Sequence, residues 1–479
     1  MEIFAKSPPK KYKLSQKVVL KNVTITDFQY FKQSISIIPT FFVSLHLYTL
    51  YTKFYIPNIP MSHNIHTLSN GIRILHLPDN MPITYVGVAV DAGTRDELPD
   101  ESGMAHFVEH LLFKGTKRRR SWHIINRLES VGGQLDAYTT KEETYIYATV
   151  PNEYTDRALE LLADVVLNST FPDNEIEKER DVVLDEIQSY NDSPSELIYD
   201  EFEELLFPHD PIGRNILGSE QSLESFDSNK IRSFVRRNYT PDRMVIFALG
   251  NINFDWLIKR VEKYFIANGD ETQILNSQFS ILNSPSIIRQ KPKDYTPAHR
   301  TTPRDTYQAH CIIGNRCLPM SSHERLTMLL LNNILGGPNM SSRLNLALRE
   351  RNGLCYTIES NVTNYTDTGV WNIYFGCDPR NLAKAQRLCM QQLDLLCNTP
   401  LNDNQLATAK RQLRGQVLIG NQNKENLILG LSKAYLHGLE LKPDSEHFQF
   451  IDSLTPSDLQ SLAQRIFKPA QLSILIYTE

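Results

Sequence analysis

The same local pattern occurs twice along this chain, and that repetition restricts the fold more than any single motif. In the first half, ITYVGVAVDAGTRDE from Ile83 is an apolar, β-branched run ending in glycine and charge, as a buried strand does. GMAHFVEHLLFKG, Gly103 to Gly115, follows with helical periodicity. In the second half YQAHCIIGNRCLP is again a strand entering a polar loop, and RLTMLLLNNILGG is again an apolar helix closed by glycine. Laid over each other without gaps, the two helices set Met328 against His106, Leu331 against Glu109 and Asn332 against His110. The second copy keeps the helix and loses the histidines and the glutamate. A chain of 479 residues exceeds the roughly 250–300 at which one core stops growing, so two related α/β domains are expected.

Between the copies, Asn283 to Asp305 is rich in Pro, Lys, Arg and Thr and has no sustained period. It reads as a linker, 283–305, between a first domain, 61–282, and a second, 306–479. Within the first domain, Leu135 to Val150 alternates as a pair of strands does, and a Leu- and Ala-rich helix follows from about Tyr154. Residues 1–60 differ from the rest: scattered lysines precede an apolar, aromatic run from Ile35 to Tyr51, broken by Pro39 and His46. That run is shorter than the ~20 residues a membrane span needs, so a poorly ordered extension is expected, with an anchor or export segment as the alternative.

Composition excludes some classes. With 41% hydrophobic and 22% charged residues the chain is an ordinary globular one, and a formal charge of -5 leaves no cationic surplus for a nucleic-acid backbone. The six cysteines (Cys311, Cys317, Cys355, Cys377, Cys389, Cys397) form no CxxC pair and read as reduced thiols in a reducing compartment, and the lack of a convincing signal segment favours the cytoplasm. Gly336-Gly337 is followed by no Lys-Ser/Thr, so it is a helix-ending turn and not a phosphate loop.

The chemistry is concentrated in Gly103 to Gly115. At ~100° per residue, His106, Glu109 and His110 share an arc of about 100°, while Met104, Phe107, Val108, Leu111 and Leu112 take the opposite side. Histidines at i and i+4 project one turn apart, so their ring nitrogens can meet at one Zn²⁺, with Glu109 beside them to take a proton from the attacking water. This is the inverted HxxEH arrangement. A surface helix that carries His and Glu for solubility is the competing explanation. A third ligand is offered by Glu186 in EKERDVVLDEIQSYNDSP, a helix that starts after Pro172 and stops at Asn191-Asp192-Ser193-Pro194. Glu179 lies two turns earlier on nearly the same face, although a solvated acidic face would look the same.

HFVEH, 75 intervening residues and then Glu186 within ERDVVLDE resemble the pitrilysin/insulinase family of metallopeptidases, most closely its mitochondrial-processing-peptidase-like branch. The resemblance runs over most of residues 65–479. It implies an α+β fold of two homologous domains, each a mostly antiparallel sheet flanked by helices, facing each other across a chamber. It implies one zinc per chain on His106, His110 and Glu186, Glu109 as the base, and Glu179 in support. LRERNGLCYTIESN matches the family's Arg and Tyr seven positions apart, so Arg349 and Tyr356 are expected to reach the substrate carbonyl from the second domain. A surface salt bridge and a structural tyrosine are the alternative for that pair. An extended peptide or unfolded segment is expected to add a strand at a sheet edge near Leu135 to Thr140, through Ala137, Tyr138 and Thr139. The rival from another class is a non-catalytic scaffold subunit, but such members lack ligands or the base. With every position present in one chain, an active homodimer is expected.

Overall fold

The computed structural model describes residues 63–266 and 289–479. The expected extension 1–60 and the first part of the expected linker, 283–288, lie outside the described residues.

The first half builds a six-stranded sheet from β1 (Asn64–Thr67), β2 (Arg73–Pro78), β3 (Ile83–Val90), β4 (Gln134–Thr139), β5 (Thr144–Pro151) and β6 (Met244–Gly250). Its order is β1-β2-β6-β3-β5-β4, and only β2 and β6 run parallel. Among the described residues this half has eight α-helices: α1 (Met104–Leu112), α2 (Ser121–Glu129), α3 (Thr155–Asn168), α4 (Asp173–Asn191), α5 (Pro194–Leu206), α6 (Glu220–Glu224), α7 (Ser228–Asn238) and α8 (Phe254–Phe265). β6 is a continuous apolar run, MVIFALG, buried at every position, because it sits inside the sheet with both faces covered.

The second half repeats this plan. Its sheet has β7 (His299–Pro303), β8 (Ala309–Cys317), β9 (Cys355–Asn364), β10 (Gly369–Cys377) and β11 (Ser473–Thr478) in the order β7-β11-β8-β10-β9, with β7 and β11 parallel. That is the order β2-β6-β3-β5-β4 strand for strand. Its helices are α9 (Arg325–Gly336), α10 (Leu382–Asn398), α11 (Asp403–Gly420), α12 (Lys424–Leu436), α13 (Asp444–Ser453) and α14 (Pro456–Ile466). The faint repetition in sequence is thus a duplication of a whole architecture, each copy a mostly antiparallel sheet flanked by helices.

The copies are not self-contained. α5, from the first half, packs on the second sheet, where Ile198, Phe202 and Leu206 share a core with Ile312, Val370, Leu475 and Tyr477. α12, from the second half, covers the open face of the first sheet. There Tyr147 Oη donates to Glu425 at 2.7 Å, and Arg73 Nη1 donates to the carbonyls of Tyr435 and Leu436 at 2.9 and 3.0 Å. The reason is visible in β6 and β11: alternate residues are apolar on both faces, and each half's remaining helices bury only one of them.

The expected linker is more structured than its composition suggests. Residues 289–298 carry no regular element, but His299–Pro303 is the edge strand β7. Arg289 is anchored on the first half, with Asp91 at 2.8 Å and Asp96 at 2.7 Å. Among the described residues no helix is long and apolar enough to cross a membrane.

Candidate metal centre

The centre is built where α1 crosses α4. Met104, Phe107, Val108, Leu111 and Leu112 are fully buried in the first core, so the opposite stripe of α1 is fixed in direction. The start of α1 is set by two features. Gly103 has φ of 90°, and a Cβ there would meet the Leu217 carbonyl at 2.7 Å, so only glycine fits. The buried Glu97 carboxylate accepts from the N–H groups of Gly103 (3.1 Å) and Ala105 (2.9 Å), capping the helix that Gly103 itself cannot cap. α4 is held by Ile176 and Val183 in the same core, which turns Glu179 and Glu186 toward α1.

His106 Nε2 and His110 Nε2 lie 3.8 and 3.5 Å from the same Glu186 oxygen, Oε2. The two rings are 4.7 Å apart at 66°. One donor atom from each of the three residues falls within 4.8 Å of the others, a spread that fits donors around a single tetrahedral cation. Glu179 Oε2 meets His110 Nδ1 at 3.2 Å, which fixes that ring with Nε2 toward Glu186. The donor set of two imidazoles and a carboxylate is that of zinc hydrolases, which leave the fourth position open.

Electrostatics agree with this use. Burial pushes His106 down to about 4, against the pull of Glu186, so its ring is neutral at neutral pH. Burial alone would lower His110 too, but Glu179, Glu186 and Glu109 raise it to about 9, so a metal ion must displace a proton there. Glu186 is held below the ordinary carboxylate range by both histidines despite its burial. Glu109 is pushed up to about 7 by burial, with His110 and the Thr139 hydroxyl opposing. That hydroxyl donates to Glu109 Oε2 at 2.6 Å.

Residues 74–220 match the model of "Insulinase (Peptidase family M16)" and residues 225–413 that of the "Peptidase M16 inactive domain". The chain is 35% identical over 383 residues to the uncharacterized zinc protease YmxG of Bacillus subtilis, covering 77% of this chain and 89% of that protein. The chain belongs to the insulinase family. An uncharacterized zinc protease of Rickettsia felis is 30% identical over 418 residues, 86% of this chain and 97% of its own. In fold, this insulinase-family chain is similar to a protease from Helicobacter pylori, with a TM-score of 0.80 at 20% identity over 88% of this chain and all (100%) of the other.

The remaining expected residues fall into two groups. Ala137, Tyr138 and Thr139 lie on β4, the last strand in the order of the first sheet. Arg349 and Tyr356 come together, the guanidinium 5.2 Å from the ring centroid, but Tyr356 is 80% exposed. Neither makes a hydrogen bond or ion pair with His106, Glu109, His110 or Glu186. In the second half of this insulinase-family chain, counting from the first residue of each helix puts Gln416 on α11 opposite Glu186 and Ala409 opposite Glu179. Asn332, opposite His110, is tied to Ser360 at 2.6 and 2.9 Å, so the duplicate centre has neither the charge nor the free donors for a cation.

Sequence reasoning did not find Lys114, Glu97 or the bond from Thr139 to Glu109. Lys114 sits one turn after His110 and meets Glu179 Oε1 at 2.6 Å, so helical spacing carried that signal. A second cluster of ligand-type residues, Glu142, Glu143 and His437, is already neutralised: Arg95 meets Glu142 at 2.6 Å, and Lys433 and His437 meet Glu143 at 3.0 and 2.6 Å. It is a clasp between the halves.

Proposed function

We propose that this insulinase-family chain is a zinc-dependent metalloendopeptidase acting on extended peptides or unfolded segments, with His106, His110 and Glu186 holding the metal and Glu109 as general base. The observation that carries this reading is the meeting of three donor atoms within 4.8 Å, two from α1 and one from a helix far along the chain, with a buried carboxylate beside them. The relatives named zinc proteases support the choice of metal.

Bound zinc supplies a Lewis acid for the scissile carbonyl and lowers the pKa of the attacking water. Glu109, one residue from His110 and out of contact with bulk solvent, accepts the water's proton and passes it to the leaving amine. The place of β4 as the last described strand of the sheet supports docking of an extended peptide as an added strand, which binds backbone and leaves side-chain choice broad. Arg349 and Tyr356, already stacked, are suited to stabilise the oxyanion once the halves close on substrate. Metal centre and Arg/Tyr pair in one chain favour a homodimer of the processing-peptidase-like branch over divided labour between two chains. The six free cysteines suit a reducing, cytoplasmic setting.

A scaffold subunit that keeps the fold without catalysis is the second reading, and the complete donor set argues against it. A quenched-fluorescence peptide library separates the two. Cleavage that stops with a chelator and returns with zinc, and is absent in Glu109→Gln, supports the peptidase. No cleavage by zinc-loaded protein supports the scaffold, and chelator-insensitive cleavage contradicts the metallopeptidase.

A further inference from the structure

The edge strand and the base are joined by one hydrogen bond. Strand alternation turns Ala137 and Thr139 to the helix-covered face of β4 and Tyr138 to the other. Tyr138 stacks on Tyr145 of β5 at 4.7 Å and 13°, and Thr139 sits in register with Thr144, whose hydroxyl donates to the Ala92 carbonyl at 2.8 Å. β4 is therefore fixed where Thr139 faces α1. The Thr139 hydroxyl, 1% exposed, donates to Glu109 Oε2 at 2.6 Å. Among the described residues no other hydrogen bond reaches that carboxylate.

We infer that Thr139 is the positioning residue of the base, fixing the direction of the Glu109 carboxylate. This rests on the reading of Glu109 as general base. With Oε2 held by Thr139, the carboxylate cannot swing about its terminal torsion, and Oε1 is left to accept the proton from water. Without the hydroxyl, Glu109 keeps its burial and loses the one hydrogen bond that directs it among the described residues, because a terminal sp² torsion has a broad, shallow preference.

Thr139→Val removes the hydroxyl at nearly constant shape, and Thr139→Ser keeps it. The expected result for Thr139→Val is unchanged zinc content, a KM within about twofold and a kcat lowered roughly 10- to 100-fold. Thr139→Ser is expected to recover most of kcat. In a Glu109→Gln background, adding Thr139→Val is expected to slow the residual reaction no further. The inference is overturned if Thr139→Val keeps its kcat, if the loss appears in KM alone, if Ser is as impaired as Val, or if both variants lose zinc. Should Val prevent folding, the Thr139→Ala and Thr139→Ser pair is read by the same criteria. Full activity in Glu109→Gln would instead sink the reading of the base. An inactive Glu109→Gln beside a fully active Thr139→Val would sink only the role of Thr139.

Discussion

Glu179 grips His110 and Lys114 at once, one oxygen 3.2 Å from Nδ1 of the imidazole and the other 2.6 Å from the ammonium. The carboxylate is held below its ordinary range by these two partners, although burial alone would raise it. It therefore stays charged at neutral pH and keeps a proton on Nδ1, so that Nε2 is the atom presented to a cation. Glu179→Ala is expected to weaken zinc binding roughly 10- to 100-fold while leaving the fold intact. Competition with a chromophoric chelator measures this directly, and unchanged affinity would remove Glu179 from the centre's support.

The clasp between the halves is sensitive to acid. Burial would raise Glu143, but Lys433, His437 and Thr140 lower it well below the usual carboxylate range. A carboxylate depressed in the folded chain contributes stability above its unfolded pKa near 4.5, and that contribution fades as pH falls below it. Glu143→Gln is expected to cost about 1–3 kcal/mol at pH 7, and the gap to the natural chain should narrow as pH drops from 5 toward 3.5. Thermal melts across that range check it. A gap that is constant with pH would mean that the ion pairs contribute nothing.

The exchanged helices predict an effect at a distance in sequence. Phe202 belongs to the first half but is fully buried against β8, β10 and β11 side chains of the second. Phe202→Ala is expected to destabilise the protein by about 3–5 kcal/mol. Hydrogen exchange should speed up in β8 and β11 more than in β3 and β6. Loosening confined to the first sheet would contradict the exchange of α5 and α12.

These cases also mark what the sequence could carry. α1 and α4 were readable because their apolar residues recur at helical spacing and their limits are marked by Gly103, Pro172 and Pro194. β4 and β5 were readable from alternation, and the duplication from a recurring strand-then-helix pattern. Convergence of Glu186 on the two histidines rested on resemblance, since periodicity gives a helix its face but not its neighbour. For the same reason the destinations of α5 and α12 were hidden: an apolar stripe says that something is covered, not which sheet. β7 escaped because an edge strand of His, Arg, Thr and Pro, with three of its five positions exposed, has no apolar alternation to detect. The link from Thr139 to Glu109 depends on strand register and helix placement together, and neither is local.

Everything chemical proposed above depends on whether His106, His110 and Glu186 hold one ion between them. The most direct test is elemental analysis of purified full-length protein beside Glu186→Gln and His106→Ala variants, with circular dichroism to confirm that each is folded. The account predicts about one zinc per chain in the natural protein and substoichiometric zinc in both folded variants. Equal zinc in all three, or none in the natural protein after incubation with the metal, would contradict it.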